Sequence, residues 1–146
     1  MPRLDLMAAA AGPYKAFLQA NAAIAEGPLD HRLWKLVELR VSQLNGCVFC
    51  IDMHSHDALE HGEEIDRLLQ VAAWRESELF TEAERAALGY AEAATRLGGH
   101  GVPDEVWDAV TEHFSPEEAG HLVAAVALIN AFNRIAVPLQ KKPPRR

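Results

Sequence analysis

Apolar residues in this chain recur at intervals of three and four, and no β-branched run alternates apolar with polar positions. Alanine, leucine and glutamate, all good helix formers, fill the segments between glycine and proline punctuation. The pattern predicts helices over 13–25, 29–44, 47–61, 63–76, 81–97, 103–113 and 116–137. Thr81 before Glu82 and Glu84 reads as an N-cap. Ser115-Pro116-Glu117-Glu118 supplies a cap, a proline at the first helical position and acids in the first turn. Gly27-Pro28, Asn45-Gly46, Gly62 and Gly98-Gly99 read as stops. With no internal repeat or low-complexity linker, the expectation is an all-α, single-domain helical bundle.

Two predicted helices differ from the rest. In 29–44, Trp34, Val37, Val41 and Leu44 form an apolar stripe, with Glu38 at its edge. From Ala119 to Phe132 only His121 and Asn130 are polar, so that helix is apolar on every side. Such a helix is buried all round, which favours a subunit interface, with a central core helix as the alternative. Its most apolar run, Ala119 to Ile129, is short for a bilayer span.

The 146 residues suit one domain. The net charge of −7 divides unevenly, because four of the 14 basic residues are Lys141, Lys142, Arg145 and Arg146. Without them the remaining residues carry 10 basic against 21 acidic side chains. That balance repels phosphate backbones and argues against a nucleic-acid partner. The tail, broken by Pro143 and Pro144, reads as a solvated end. Residues 1–11 make a poor signal peptide, and two cysteines are few for a secreted disulfide scaffold. The expectation is a cytoplasmic protein with no membrane partner.

In the cytoplasm, closely spaced cysteines point to redox or metal chemistry. Cys47, Cys50 and His54 lie at i, i+3 and i+7 from a predicted helix start, on one face. A helix N-terminus favours thiolate, most of all at Cys47, while His54 lies nearer Cys50 and titrates unperturbed near 6.5. Asp57, one turn on, either orients His54 or is a solvated acid. The rival reading is zinc held by Cys47, Cys50, His54 and Glu38, although no second Cys or His pair has finger-like spacing. Haem attachment is excluded because Ile51 follows Cys50. Among the other histidines, His56 points elsewhere and His61 suits a helix C-terminus. His31, His100 and His113 read as surface or turn residues, and His121 as a satisfied buried histidine.

The stretch from Glu38 through Asn45-Gly46-Cys47-Val-Phe-Cys50 to His54 resembles the core of the alkylhydroperoxidase D-like (AhpD-like) proteins. These belong to the wider carboxymuconolactone decarboxylase family. Leu128-Ile-Asn130-Ala-Phe-Asn133-Arg134 is similar to that group's final helix. The resemblance covers 29–139, leaving 1–28 as an N-terminal helical segment and 140–146 as the basic tail. It implies an all-helical fold assembled as a trimer or hexamer, and a thiol peroxidase with no cofactor. The implied substrate is a hydroperoxide and the implied donor a dithiol. Residue by residue, Cys50 matches the peroxide-attacking cysteine, Cys47 the resolving one, and His54 and Glu38 the proton relay. The chain departs from the best-studied type in having Phe49 where that type has histidine, and in an acid nearer the cysteines. A redox sensor or disulfide reductase without fast peroxide turnover is the alternative.

Overall fold

A computed structural model describes residues 1–146, and every regular element is helical. The elements are α1 (Leu6–Ala9), α2 (Ala11–Ala25), α3 (His31–Leu44), α4 (Val48–Glu60), α5 (Ile65–Gln70), a 3₁₀ turn (Val71–Ala73), α6 (Glu82–Thr95), α7 (Asp104–His113) and α8 (Pro116–Ala136). Helix α2 starts two residues before Pro13. A proline in the first turn costs nothing there, because its missing N–H has no helical partner. Thr81 and Ser115 both close capping boxes, with Glu84 and Glu118 reaching back to the cap.

The expected helix over 63–76 is broken into α5, the 3₁₀ turn and a loop. No glycine or proline marks the break. Beyond the 3₁₀ turn, Arg85 donates to the carbonyls of Trp74, Ser77 and Arg75 and holds the chain in a turn. On the near side, Glu63 is buried and accepts from Arg32 and Arg67.

The central helix is α3. Leu33 to Leu39 is buried without a break. Trp34, Val37 and Val41 enter the larger core with Ile24, Tyr90, Val110, Leu122, Val126 and Ile129. Leu36 and Leu39, on the other side, enter a second core with Leu68, Val71, Trp74, Phe80 and Leu88. Leu44, expected in the stripe, is only half-buried.

Helix α8 is less enclosed than its composition suggests. Leu122, Val126, Ile129 and Asn133 face inward, whereas Gly120, Val123, Ala124 and Ala127 are exposed. At 21 residues and a mean hydropathy of 1.3 over its most apolar window, α8 matches a bilayer span by length and composition. It packs against α2, α3, α4, α6 and α7, the position of a core helix. His121 is half-exposed, not buried, and its Nδ1 lies 2.9 Å from the Glu117 carbonyl. A Cβ at Gly27 would meet the His121 ring at 2.3 Å, so a larger residue there would have to displace that ring.

The turn from α3 into α4 is held from two sides. Gly46, at φ 65°, lets the Cys47 amide donate to Ser42 O (3.0 Å) and the Gly46 amide to Gln43 O (3.2 Å). These two bonds make a Schellman cap. The Asn45 amide donates to Asn130 Oδ1 (2.9 Å) and Asn133 Oδ1 (3.0 Å) on α8. Asn133 donates to Ser42 Oγ (3.1 Å), whose hydroxyl donates to Glu38 O (2.7 Å). Asn133→Ala removes one of the two acceptors of the Asn45 amide, leaves a cavity at a fully buried position and removes the donor to Ser42. It is expected to lower stability by about 2 kcal/mol, read as a shifted urea midpoint with unchanged slope.

Candidate active site

Cys47 is the N-cap of α4, and its sulfur accepts from the Cys50 amide at 3.3 Å. The two cysteines form a disulfide. Both are buried, at 1% and 2% exposure, with Ala136 and Phe49 packed around them. Only one of them borders a cleft. Cys50 is part of the wall of a cleft of about 610 Å³, and Cys47 lies behind it. His54, one turn beyond Cys50, lines the same cleft, as do Glu38 and the apolar side chains of Phe49, Met53, Phe132 and Ile135.

The turn at Asn45–Cys47 folds α3 and α4 side by side in antiparallel register. Glu38 meets His54, with Oε2 3.5 Å from Nε2, and three residues back Lys35 meets Asp57 at 2.9 Å. Lys35 also holds Glu38 Oε1 at 3.0 Å. The four candidate residues Glu38, Cys47, Cys50 and His54 therefore occupy one place, although they come from two helices.

Sequence reading missed Lys35. Its spacing of three from Glu38 was the available signal, since such residues are neighbours on a helix. Asp57, expected to orient His54 or to stand as a solvated acid, is half-exposed and ion-paired instead. Asp57 pairs with Lys35 and with His61 Nδ1, the latter at 3.2 Å. The tail, expected to be a solvated end, is exposed at every residue but Pro143, and it lies along the cleft. Lys141 Nζ sits 4.0 Å above the Phe49 ring centre, Pro144 joins the wall, and Arg146 pairs with Asp52 at 2.7 Å. His56, also at the rim, lies 3.5 Å from Asp52.

Burial reverses the expected roles of the acid and the imidazole. Desolvation raises Glu38 to about 7, against the pull of Lys35. Desolvation, aided by the Lys35 charge, lowers His54 to about 4. The group poised at neutral pH is thus Glu38, and His54 is a neutral imidazole. Burial also works against the charge on Lys35, but Glu38 and Asp57 outweigh it and raise its pKa. In the disulfide form neither sulfur is free to ligate a metal, and no cluster of three or more His, Cys, Asp or Glu side chains has metal-binding geometry.

These shifts predict opposed pH dependences. Glu38 holds its proton more tightly when folded, so its contribution to stability is lost as pH rises from 4.5 to about 7. His54 holds its proton less tightly when folded, so its contribution grows as pH rises from about 4 to 6.5. Glu38→Gln is expected to gain stability relative to the parent across the first window, and His54→Asn to lose it across the second. Each change should be on the order of 3 kcal/mol. Urea unfolding of the oxidised proteins between pH 4 and pH 8 measures this, and curves parallel to the parent would contradict it.

Comparisons with known proteins establish the family and the fold. The model of the carboxymuconolactone decarboxylase family matches residues 11–93, more than half of the chain. The uncharacterised protein YdfG of Bacillus subtilis is 41% identical over 125 residues, which is 86% of this chain and 85% of that one. A crystal structure of ATU0492 from Agrobacterium tumefaciens superposes with a TM-score of 0.96 at 34% identity, over all of both chains. That protein is of unknown function and has been proposed as the antioxidant defence protein AhpD. The debrominase Bmp8, at 24% identity, shares the fold with a TM-score of 0.80 over 88% of this chain and 69% of its own. The chain belongs to the carboxymuconolactone decarboxylase family and has the AhpD-like fold, with its cysteine pair at the start of α4.

Proposed function

We propose that the protein is a thiol peroxidase that reduces hydroperoxides through a Cys47/Cys50 dithiol–disulfide cycle. The observation that carries this reading is the placement of Cys50 in the wall of the cleft that also holds the Glu38–His54 pair. Likeness to ATU0492 supports it.

The chemistry runs in three steps. The ionised Glu38 takes the Cys50 proton by way of His54, and the thiolate attacks the terminal oxygen of ROOH. An S–O bond forms, the O–O bond breaks, and the departing alkoxide recovers the proton from Glu38 as ROH. The Cys47 thiol then attacks the Cys50 sulfenic sulfur, so that an S–S bond forms and water leaves. A dithiol donor reduces the pair by exchange and carries the two electrons in. An acid–base group near 7 suits both directions of proton movement, and Glu38 has that value.

A redox sensor with slow, stoichiometric oxidation is the second reading, favoured by the depth of both sulfurs. Peroxide consumption with a small dithiol, followed by thiol titration, separates the two. Repeated turnover with loss and recovery of two thiols per chain is expected for the parent, and none for Cys50→Ser. Glu38→Gln should lower kcat roughly a hundredfold or more. Turnover that survives Cys50→Ser would sink the peroxidase, and a single slow oxidation of the parent would leave the sensor.

Homo-oligomer formation as a trimer or hexamer, and a cytoplasmic setting, belong to the same proposal. The exposed small-residue strip of α8 faces α2 across an apolar groove lined by Phe17, Ile24, Ala124 and Ala127. Sedimentation equilibrium is expected to give three or six times the chain mass of 16.1 kDa, and a monomer at all concentrations would refute it.

A further inference from the structure

A lysine only 8% exposed, deep in a cleft beside a carboxylate, is an expensive feature to keep. Lys35 is held on three sides. Its ammonium contacts Glu38 Oε1 at 3.0 Å and Asp57 Oδ2 at 2.9 Å, and lies 4.2 Å from the Trp34 ring centre. It is the only cation within ion-pair distance of Glu38, and its two carboxylate partners come from different helices.

The placement is also directional. Lys35 occupies one Glu38 oxygen, which leaves Oε2 to face His54 Nε2. Without that hold the carboxyl would be free to turn about its terminal bond, since such torsions are broad. Asp57 is half-exposed and competes for the Lys35 ammonium from the rim of the cleft, with His61 behind it.

We propose that Lys35, its charge divided between Glu38 and Asp57, is a positioning residue of this site that orients the Glu38 carboxyl toward His54 and sets the pH at which that carboxyl gives up its proton. The inference rests on the relay described above. Lys35 touches neither substrate nor sulfur in this scheme; it acts by holding Glu38 and by the effect of its charge on Glu38 and His54. Its charge favours the carboxylate, and Asp57 opposes it in two ways, by drawing on the ammonium and by adding a negative charge nearby. The groups facing Glu38 are therefore Lys35 from α3 and His54 and Asp57 from α4. Lys141 and Arg146 of the tail and Asp52, His56 and Glu60 of α4 line the outer cleft.

The two variants must move the Glu38 titration in opposite directions. Lys35→Met removes the only favourable charge and should raise its midpoint by at least about one pH unit. Asp57→Asn should lower it, and Lys35→Arg, which keeps the charge, should hold it near the parent value. The readout is the protonated-carboxyl band in infrared difference spectra recorded against pH, assigned by its loss in Glu38→Gln. In the peroxide assay, Lys35→Met should lower kcat at pH 7 about tenfold with KM unchanged, and recover it at higher pH. An unmoved midpoint in Lys35→Met, or shifts of the same sign in Lys35→Met and Asp57→Asn, would overturn the proposal. If Lys35→Met does not fold, Asp57→Asn decides alone, because a midpoint that stays or rises overturns it. A protein that turns over no peroxide would refute the proposed function and leave the infrared titration just as readable.

Discussion

The site depends on one turn. Helix α3 ends at Asn45, Gly46 takes the left-handed backbone that a Schellman cap needs, and Cys47 caps the next helix. The Asn45 side chain then ties this turn to Asn130 and Asn133 on α8. The result is a fixed antiparallel register in which Glu38 reaches His54 and Lys35 reaches Asp57. A slip by one residue would carry Glu38 off the face that meets His54, because successive helical residues point about a quarter-turn apart. The asparagines of the last helix therefore matter to the chemistry without touching it.

Burial supplies the second layer. An acid and an imidazole enclosed together in water would both be charged near pH 5. Inside the bundle, desolvation favours the neutral form of each, so Glu38 rises to about 7 and His54 falls to about 4. The pair becomes a carboxyl that exchanges its proton at neutrality and an imidazole that stays neutral. Lys35 tempers the rise of Glu38 and deepens the fall of His54. Elsewhere the same physics gives a purely structural outcome. Glu63 is also buried, but two guanidiniums, Arg32 and Arg67, overcome desolvation and lower it to about 2. It stays ionised and serves as a brace between α3 and α5.

Much of this was legible in the sequence because local rules carry it. The caps at Thr81 and Ser115, the stop at Asn45-Gly46 and the cysteine–histidine face are fixed by residues within one or two turns of each other. What was not legible is what depends on distant parts of the chain. The turn beyond the 3₁₀ segment is held by Arg85 from α6, and α3 is more enclosed than α8 because its flanks meet two cores while α8 leaves a strip uncovered. The basic tail looked like a solvated end by composition, yet Phe49 and Asp52 hold it along the cleft. The His54 titration is not legible from sequence because the free-imidazole value near 6.5 takes no account of burial. Lys35 was overlooked because a lysine inside a helix usually marks a solvated face.

The most direct test of the account is to find which atom meets the peroxide. Cys47→Ser protein, reduced and treated with one equivalent of an organic hydroperoxide, would be trapped with a sulfenic-acid reagent and mapped by peptide mass spectrometry. The account predicts a single adduct on Cys50, formed faster than in the same protein carrying Glu38→Gln. Absence of an adduct on Cys50 while the peroxide is consumed, or an adduct whose rate ignores Glu38, would contradict it.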